Sequence, residues 1–236
     1  MGQTERTAAV ARAFEQSWSS LLASRDWWPA APQVECARLM RESADAVGVV
    51  TSQDFVSQLG LSLRKWRAFR GARFNDGRLR RSLRAVAPML PRWQGLSVLA
   101  IPSEAGQGLF ELFDAVREVK PTKRKWVATS KLLHHLLPDL VVPMDNQITA
   151  PFLGRSALPA TFEASFLLEA YSAFVGVATS RSHGIGVARV REAAKQVPYP
   201  VSGVAREDCR IGLARVVDFA IAGFVQNHGR VALRRL

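Results

Sequence analysis

The chain has 236 residues, 48% of them apolar, and carries 32 Lys+Arg against 20 Asp+Glu for a formal charge of +12. Its two cysteines, Cys36 and Cys209, form no C-x-x-C pair, which excludes a disulfide framework, a zinc ribbon and a four-thiolate iron–sulfur cluster. No run of 18 apolar residues exists to span a membrane, and the basic balance points to an acidic partner, of which nucleic acid is the commonest in a cell.

Helical periodicity dominates from the start. Val10, Phe14, Trp18 and Leu21 recur at three- and four-residue steps, the spacing of one helix face. Pro29 ends that helix by disfavouring the helical region for Trp28. Val34 to Val47 reads as a second helix closed by Gly48. Thr51, with Asp54 three residues on, resembles a capping box and opens a third, closed by Gly60.

Gly71 and Asn75-Asp76-Gly77 mark turns. Leu79 to Leu90 is a basic helix ending near Pro88 and Pro91. Leu109, Leu112, Phe113 and Val116 stripe another, and Trp126 to Leu137 forms the next, stopped by Pro138. A short apolar stretch, Leu140 to Met144, leads to Asp145. Further helices are expected near 146–153, 162–177, 186–195 and 206–228. The expected fold is therefore all-α, with about ten helices in one or two closely packed lobes. Residues 1–60 are read as an N-terminal helical segment packing on a basic core, 61–236.

The charge is concentrated. Between Arg64 and Arg84 lie nine basic residues, Arg64, Lys65, Arg67, Arg70, Arg73, Arg78, Arg80, Arg81 and Arg84, opposed only by Asp76. Eight are arginines, whose guanidinium fork matches phosphate oxygens. The interleaved Trp66 and Phe69 are expected to be buried rather than to stack on bases. A second group, Lys120, Lys123, Arg124, Lys125 and Lys131, surrounds the entry to the helix at Trp126, where free N–H groups already favour anions. Ser130 can touch the same backbone or bond into its own helix. Of His134 and His135, one is expected in the core and one toward solvent or phosphate. Asp139 reads as a turn residue.

Residues 119–153, VKPTKRKWVATSKLLHHLLPDLVVPMDNQITAPFL, run basic turn, helix, apolar loop, then Pro143-Met144-Asp145 opening a new helix. This order resembles the core of the helix-hairpin-helix DNA glycosylase superfamily. There a hairpin grips the DNA backbone and an apolar loop delivers an aspartate to a helix start. The resemblance covers about 50 residues and extends to bacterial proteins with an S-K-x-L-H segment followed by P-x-D. The family's glycine-containing hairpin is replaced by Val119-Lys120-Pro121-Thr122-Lys123, a degenerate hairpin in which lysines do the holding. The family's bifunctional members carry a lysine just inside the next helix, a place that falls near Trp126 or Val127. The family's optional four-cysteine cluster is also missing, so no metal or cofactor is expected.

The resemblance thus implies a monofunctional DNA glycosylase. It would flip out and excise a damaged or modified base from double-stranded DNA and leave an abasic site. A hypermodified phage base would suit a defence role in bacteria. Asp145 would stabilise the oxocarbenium-like transition state and orient water. It also fits a plain N-cap. The base pocket would draw on Trp126, Trp93, Trp27 and Trp28. The alternative is a non-catalytic DNA- or RNA-binding module of the same fold. A cytoplasmic monomer is expected, without a leader, because Met1 to Arg12 is polar and mixed.

Overall fold

The computed structural model describes residues 2–23, 31–43, 45–102, 105–196, 209 and 211–228. These residues form helices and loops, with no strand among them. No helix among them is long and apolar enough to cross a membrane.

α1 (Gln3–Ala23) buries the predicted stripe of Val10, Phe14 and Trp18. The single helix expected over 34–47 is instead two, α2 (Ala31–Glu42) and α3 (Ala46–Thr51). The break has a local cause. The Asp45 carboxylate accepts from the Gly48 amide at 2.9 Å and caps α3, so Gly48 sits inside a helix it was expected to end. α4 (Gln53–Lys65) starts one residue later than expected, because Ser52 rather than Thr51 is the cap and accepts from Phe55 N at 3.3 Å. Gly60 also stays helical. A Cβ there would lie 2.9 Å from the Phe74 ring, so this glycine serves a close approach.

α5 (Asp76–Val86) is capped by Asn75, which accepts from Arg78 N at 2.9 Å. A 3₁₀ turn (Ala87–Met89) joins it to α6 (Leu90–Trp93). α7 (Gly106–Val116) and α8 (Trp126–Leu136) flank the basic turn. α9 (Thr149–Phe152), α10 (Ala164–Thr179), α11 (Val187–Ala194) and α12 (Leu213–His228) follow. α1 packs along α12, bringing Trp18 against Phe219 with ring centroids 6.3 Å apart. The first and last helices thereby share one core with α4, α5, α7, α8 and α10. The expected 60/61 division falls inside α4.

Burial sorts the tryptophans. Trp126 is 1% exposed, donates to the Thr161 carbonyl at 3.0 Å and stacks on Phe162 at 4.1 Å. Trp93 is 2% exposed. Both are core residues, which corrects their assignment to a base pocket. Trp27 and Trp28 lie outside the described residues.

Candidate active site

Asp145 is set by a chain of backbone and hydroxyl bonds in the loop between α8 and α9. Ser130, fully buried on α8, accepts from Met144 N at 2.8 Å and donates to the Val127 carbonyl at 3.3 Å. It therefore fixes the loop and bonds into its own helix, the second of its two expected roles, and being fully buried it does not reach a DNA backbone, the first. One residue on, Asp145 N donates to Thr149 Oγ1 at 3.0 Å, and Asp145 Oδ1 accepts from Gln147 N at 2.7 Å. This is an Asx turn ahead of the helix and not the expected N-cap, because α9 starts at Thr149 and Ile148 is its cap residue. Oδ2 points to Lys131 Nζ, 3.5 Å away.

Lys131 extends from the middle of α8 to the end of α4, where it donates to the Trp66 carbonyl at 2.7 Å. Its side chain is only 12% exposed. Burial pulls its pKa below the usual lysine range, while the Asp145 carboxylate opposes that shift. One turn along α8 the histidines lie beneath the same site. Both are buried, so neither faces solvent or phosphate as expected. His134 Nδ1 bonds to the Val141 carbonyl at 2.7 Å, and His135 Nδ1 to the Lys131 carbonyl at 2.6 Å. His135 Nε2 pairs with Ser62 Oγ at 2.7 Å. Each Nδ1 therefore carries the proton, and His135 Nε2 accepts from the serine hydroxyl. Burial lowers both pKa values, that of His135 to about 4. They are neutral at physiological pH.

Trp66 covers this pair. It stacks on His134 at 5.4 Å and meets His135 edge-on at 4.9 Å. Half-buried, it is less enclosed than expected, because it also lines a cavity of about 650 Å³. Lys65, Arg67, Lys131, Asp145, Arg215 and Asp218 line the same cavity. Arg215 holds its guanidinium 4.5 Å from the Trp66 ring and pairs with Asp218. Burial pushes the Asp218 carboxyl up to about 6 and Asp145 adds to the rise, against the pull of Arg215 and Lys131.

The helix end beside the cavity is conformationally unusual. Ala68 N bonds to the Leu63 carbonyl and Arg67 N to the Arg64 carbonyl, both at 3.0 Å, which is a Schellman cap. Its left-handed position belongs to Arg67, with φ +52°, where glycine is the ordinary choice.

The two basic segments lie side by side. Lys120, 6% exposed, donates to the Arg70 carbonyl at 2.9 Å, and Arg78 reaches the Glu118 carbonyl at 3.3 Å. Lys120 is thus an internal strut rather than a phosphate clamp, and burial lowers its pKa. Lys125 pairs with Glu118, Arg80 bonds to Gln53, and the Arg64 guanidinium sits 4.7 Å from the Phe74 ring. Arg70, Arg73, Arg81, Arg84, Lys123 and Arg124 are exposed, with no ion pair to the described residues. From the first segment, Lys65 and Arg67 meet Asp145 at the cavity. The 120–125 turn joins through Arg70 and does not line it.

Sequence reading missed Arg215 and Asp218. A signal existed. They are the only Asp, Glu, Lys or Arg in α12 and stand three apart among apolar residues, the spacing of one helix face. Asp139, read as a turn residue, accepts from Leu213 N at 2.8 Å and ties the start of α12 to the loop leading to Asp145. Comparison of the chain with family models, curated proteins and solved structures finds no match.

Proposed function

We propose that the protein is a DNA glycosylase that draws a nucleotide out of the duplex and hydrolyses its N-glycosidic bond, leaving an abasic site. The observation that carries this reading is the Asp145 carboxylate, held by an Asx turn just ahead of α9 and part exposed in a polar cavity beside an exposed basic surface. Cleavage builds positive charge on the sugar, and a carboxylate beside it stabilises that charge and orients water. The order of turn, helix, apolar loop and aspartate, which resembles the helix-hairpin-helix glycosylases, supports the same assignment.

Exposed Arg73, Arg81, Arg84, Lys123 and Arg124 are suited to the phosphate backbone. Lys65 and Arg67 then serve the phosphates flanking the flipped nucleotide. Extrusion costs a few kcal/mol, which contacts around the cavity offset. A cavity of about 650 Å³ lies in the range for drug-sized ligands, so it suits a base enlarged by modification. Phage DNA with hypermodified cytosine is one such substrate and would fit a defence role.

Lys131 favours a second reading. Its amine lies 3.5 Å from Asp145, where it could attack C1′ in place of water. The test is incubation with duplexes carrying modified bases and with phage genomic DNA, followed by hot alkali. Strand breaks that need alkali support hydrolysis, and breaks without alkali support the lysine. No breaks on any substrate would leave a binding module.

A further inference from the structure

Asp218 is a second carboxyl in the cavity. It sits on α12, 3% exposed, and lines the same cavity as Asp145. Its Oδ2 accepts from Arg215 Nη1. The residue lines the cavity beside Lys131, Asp145 and Arg215. The charged groups facing Asp218 come from three elements: Arg215 on its own helix, Lys131 on α8 and Asp145 on the loop before α9. Lys65 and Arg67 of the α4 end share the cavity. On α1, Trp18 packs against Phe219 beside it.

Two carboxyls lining one cavity repel when both are ionised, and the one with less water keeps its proton to higher pH. That one is Asp218. Burial and Asp145 raise it to about 6, although Arg215 and Lys131 oppose the rise. Asp145 is the more exposed, with 32% of its side chain accessible against 4% for Asp218. The two therefore suit different tasks.

We propose that Asp218 is the general acid that protonates the departing base, while Asp145 serves the sugar; the inference rests on the glycosylase reading of the cavity. The C1′–N bond breaks and its electron pair goes to the base nitrogen. The Asp218 carboxyl delivers its proton to the base. Water adds to C1′ and gives a proton to Asp145. The sum is hydrolysis, and both carboxyls then exchange protons with solvent. Arg215 stabilises the carboxylate that Asp218 becomes, so it is a positioning residue.

The division of labour defines a substrate class. An uncharged base leaves poorly as an anion and needs that proton. A cationic base such as 7-methylguanine leaves as a neutral molecule without one. The site is therefore built for uncharged bases.

The experiment is single-turnover base release between pH 5 and 8.5, using the full chain. The duplexes carry uracil, hypoxanthine, 8-oxoguanine, 5-hydroxymethylcytosine or 7-methylguanine. For the wild type, release of an uncharged base should fall as pH rises above about 6. Asp218→Asn should slow that release by roughly 10²–10⁴-fold, as loss of a general acid does, and remove the fall with pH. Where 7-methylguanine is released, it should be nearly unaffected. Unchanged binding of a duplex with a cationic pyrrolidine in place of the sugar shows that the variant is folded. If Asp218→Asn does not fold, the wild-type profile decides, and a rate flat between pH 5 and 8 overturns the proposal. Wild-type rate and profile in Asp218→Asn overturn it too, while leaving the glycosylase reading standing. No release by the wild type from any duplex overturns both.

Discussion

Lys131 Nζ lies 3.5 Å from Asp145 Oδ2 and donates to the Trp66 carbonyl at 2.7 Å, so one buried ammonium ties α8 to the end of α4 and to the loop before α9. Such a cation has two possible uses. As an ammonium it holds the aspartate in place. As a free amine it is a nucleophile. Its contacts with a carbonyl and a carboxylate favour the charged form, against the pull of burial.

The hydrolytic account therefore predicts that Lys131→Gln keeps base release, slowed by about 10–100-fold through loss of positioning. It also predicts no covalent protein–DNA adduct when the wild type is treated with borohydride during turnover. An adduct that vanishes in Lys131→Gln establishes the amine as the nucleophile instead.

Acid should destabilise the fold through the buried histidines. The His135 pKa is lowered to about 4, and that of His134 well below its usual value, both by burial. As pH falls below about 6.5 the unfolded chain binds protons that the folded chain refuses. Stability is thus lost between about 6.5 and 4, by up to roughly 3 kcal/mol from His135. Asp218 acts the other way, because a carboxyl raised to about 6 regains stability as pH falls through that value. Two histidines outweigh one aspartate. Urea midpoints should therefore drop from pH 7 to pH 4.5, and His135→Gln should reduce the drop. A midpoint independent of pH across that window contradicts neutral burial of the pair.

Arg67 holds a left-handed φ of +52° at a position where glycine is unstrained. Arg67→Gly should raise stability by about 0.5–1 kcal/mol, read from thermal or urea unfolding. Duplex binding should weaken, with the salt dependence of log K reduced by about 1 if the guanidinium contacts a phosphate. Greater stability with unchanged binding would place Arg67 outside the DNA contact.

Trp126 separates core from site. With 1% exposure, a Phe162 stack and a bonded indole N–H, Trp126→Ala should cost about 3–5 kcal/mol in unfolding experiments. Trp66→Ala should instead slow base release. If Trp126→Ala slowed release at unchanged stability, the cavity would lie elsewhere.

The fold class was legible because apolar residues recur at helical spacing from Val10 through Phe224, and burial follows that spacing. Helix ends were less so. Gly48 and Gly60 look like terminators, yet both are helical, one beside the Asp45 cap and one under Phe74. Those reasons are tertiary or depend on which of several polar residues caps. In the candidate site, Asp145 stands out in sequence by its place after an apolar loop. Arg215 and Asp218 were not joined to it, because they stand more than 65 positions away and reach it only by the packing of α12. Lys120 looks like a surface cation in sequence, and for Ser130 the sequence leaves a backbone contact and a bond into its own helix equally open. Burial turned them into struts, and composition holds no trace of that.

The most direct test of the account is base release by Asp145→Asn beside its duplex binding. The substitution keeps the side chain's shape, and its oxygen can still accept from Gln147 N. The account predicts release lowered by at least about 10³-fold, with duplex affinity changed less than about threefold. Release at the wild-type rate by a folded, DNA-binding Asp145→Asn would contradict it.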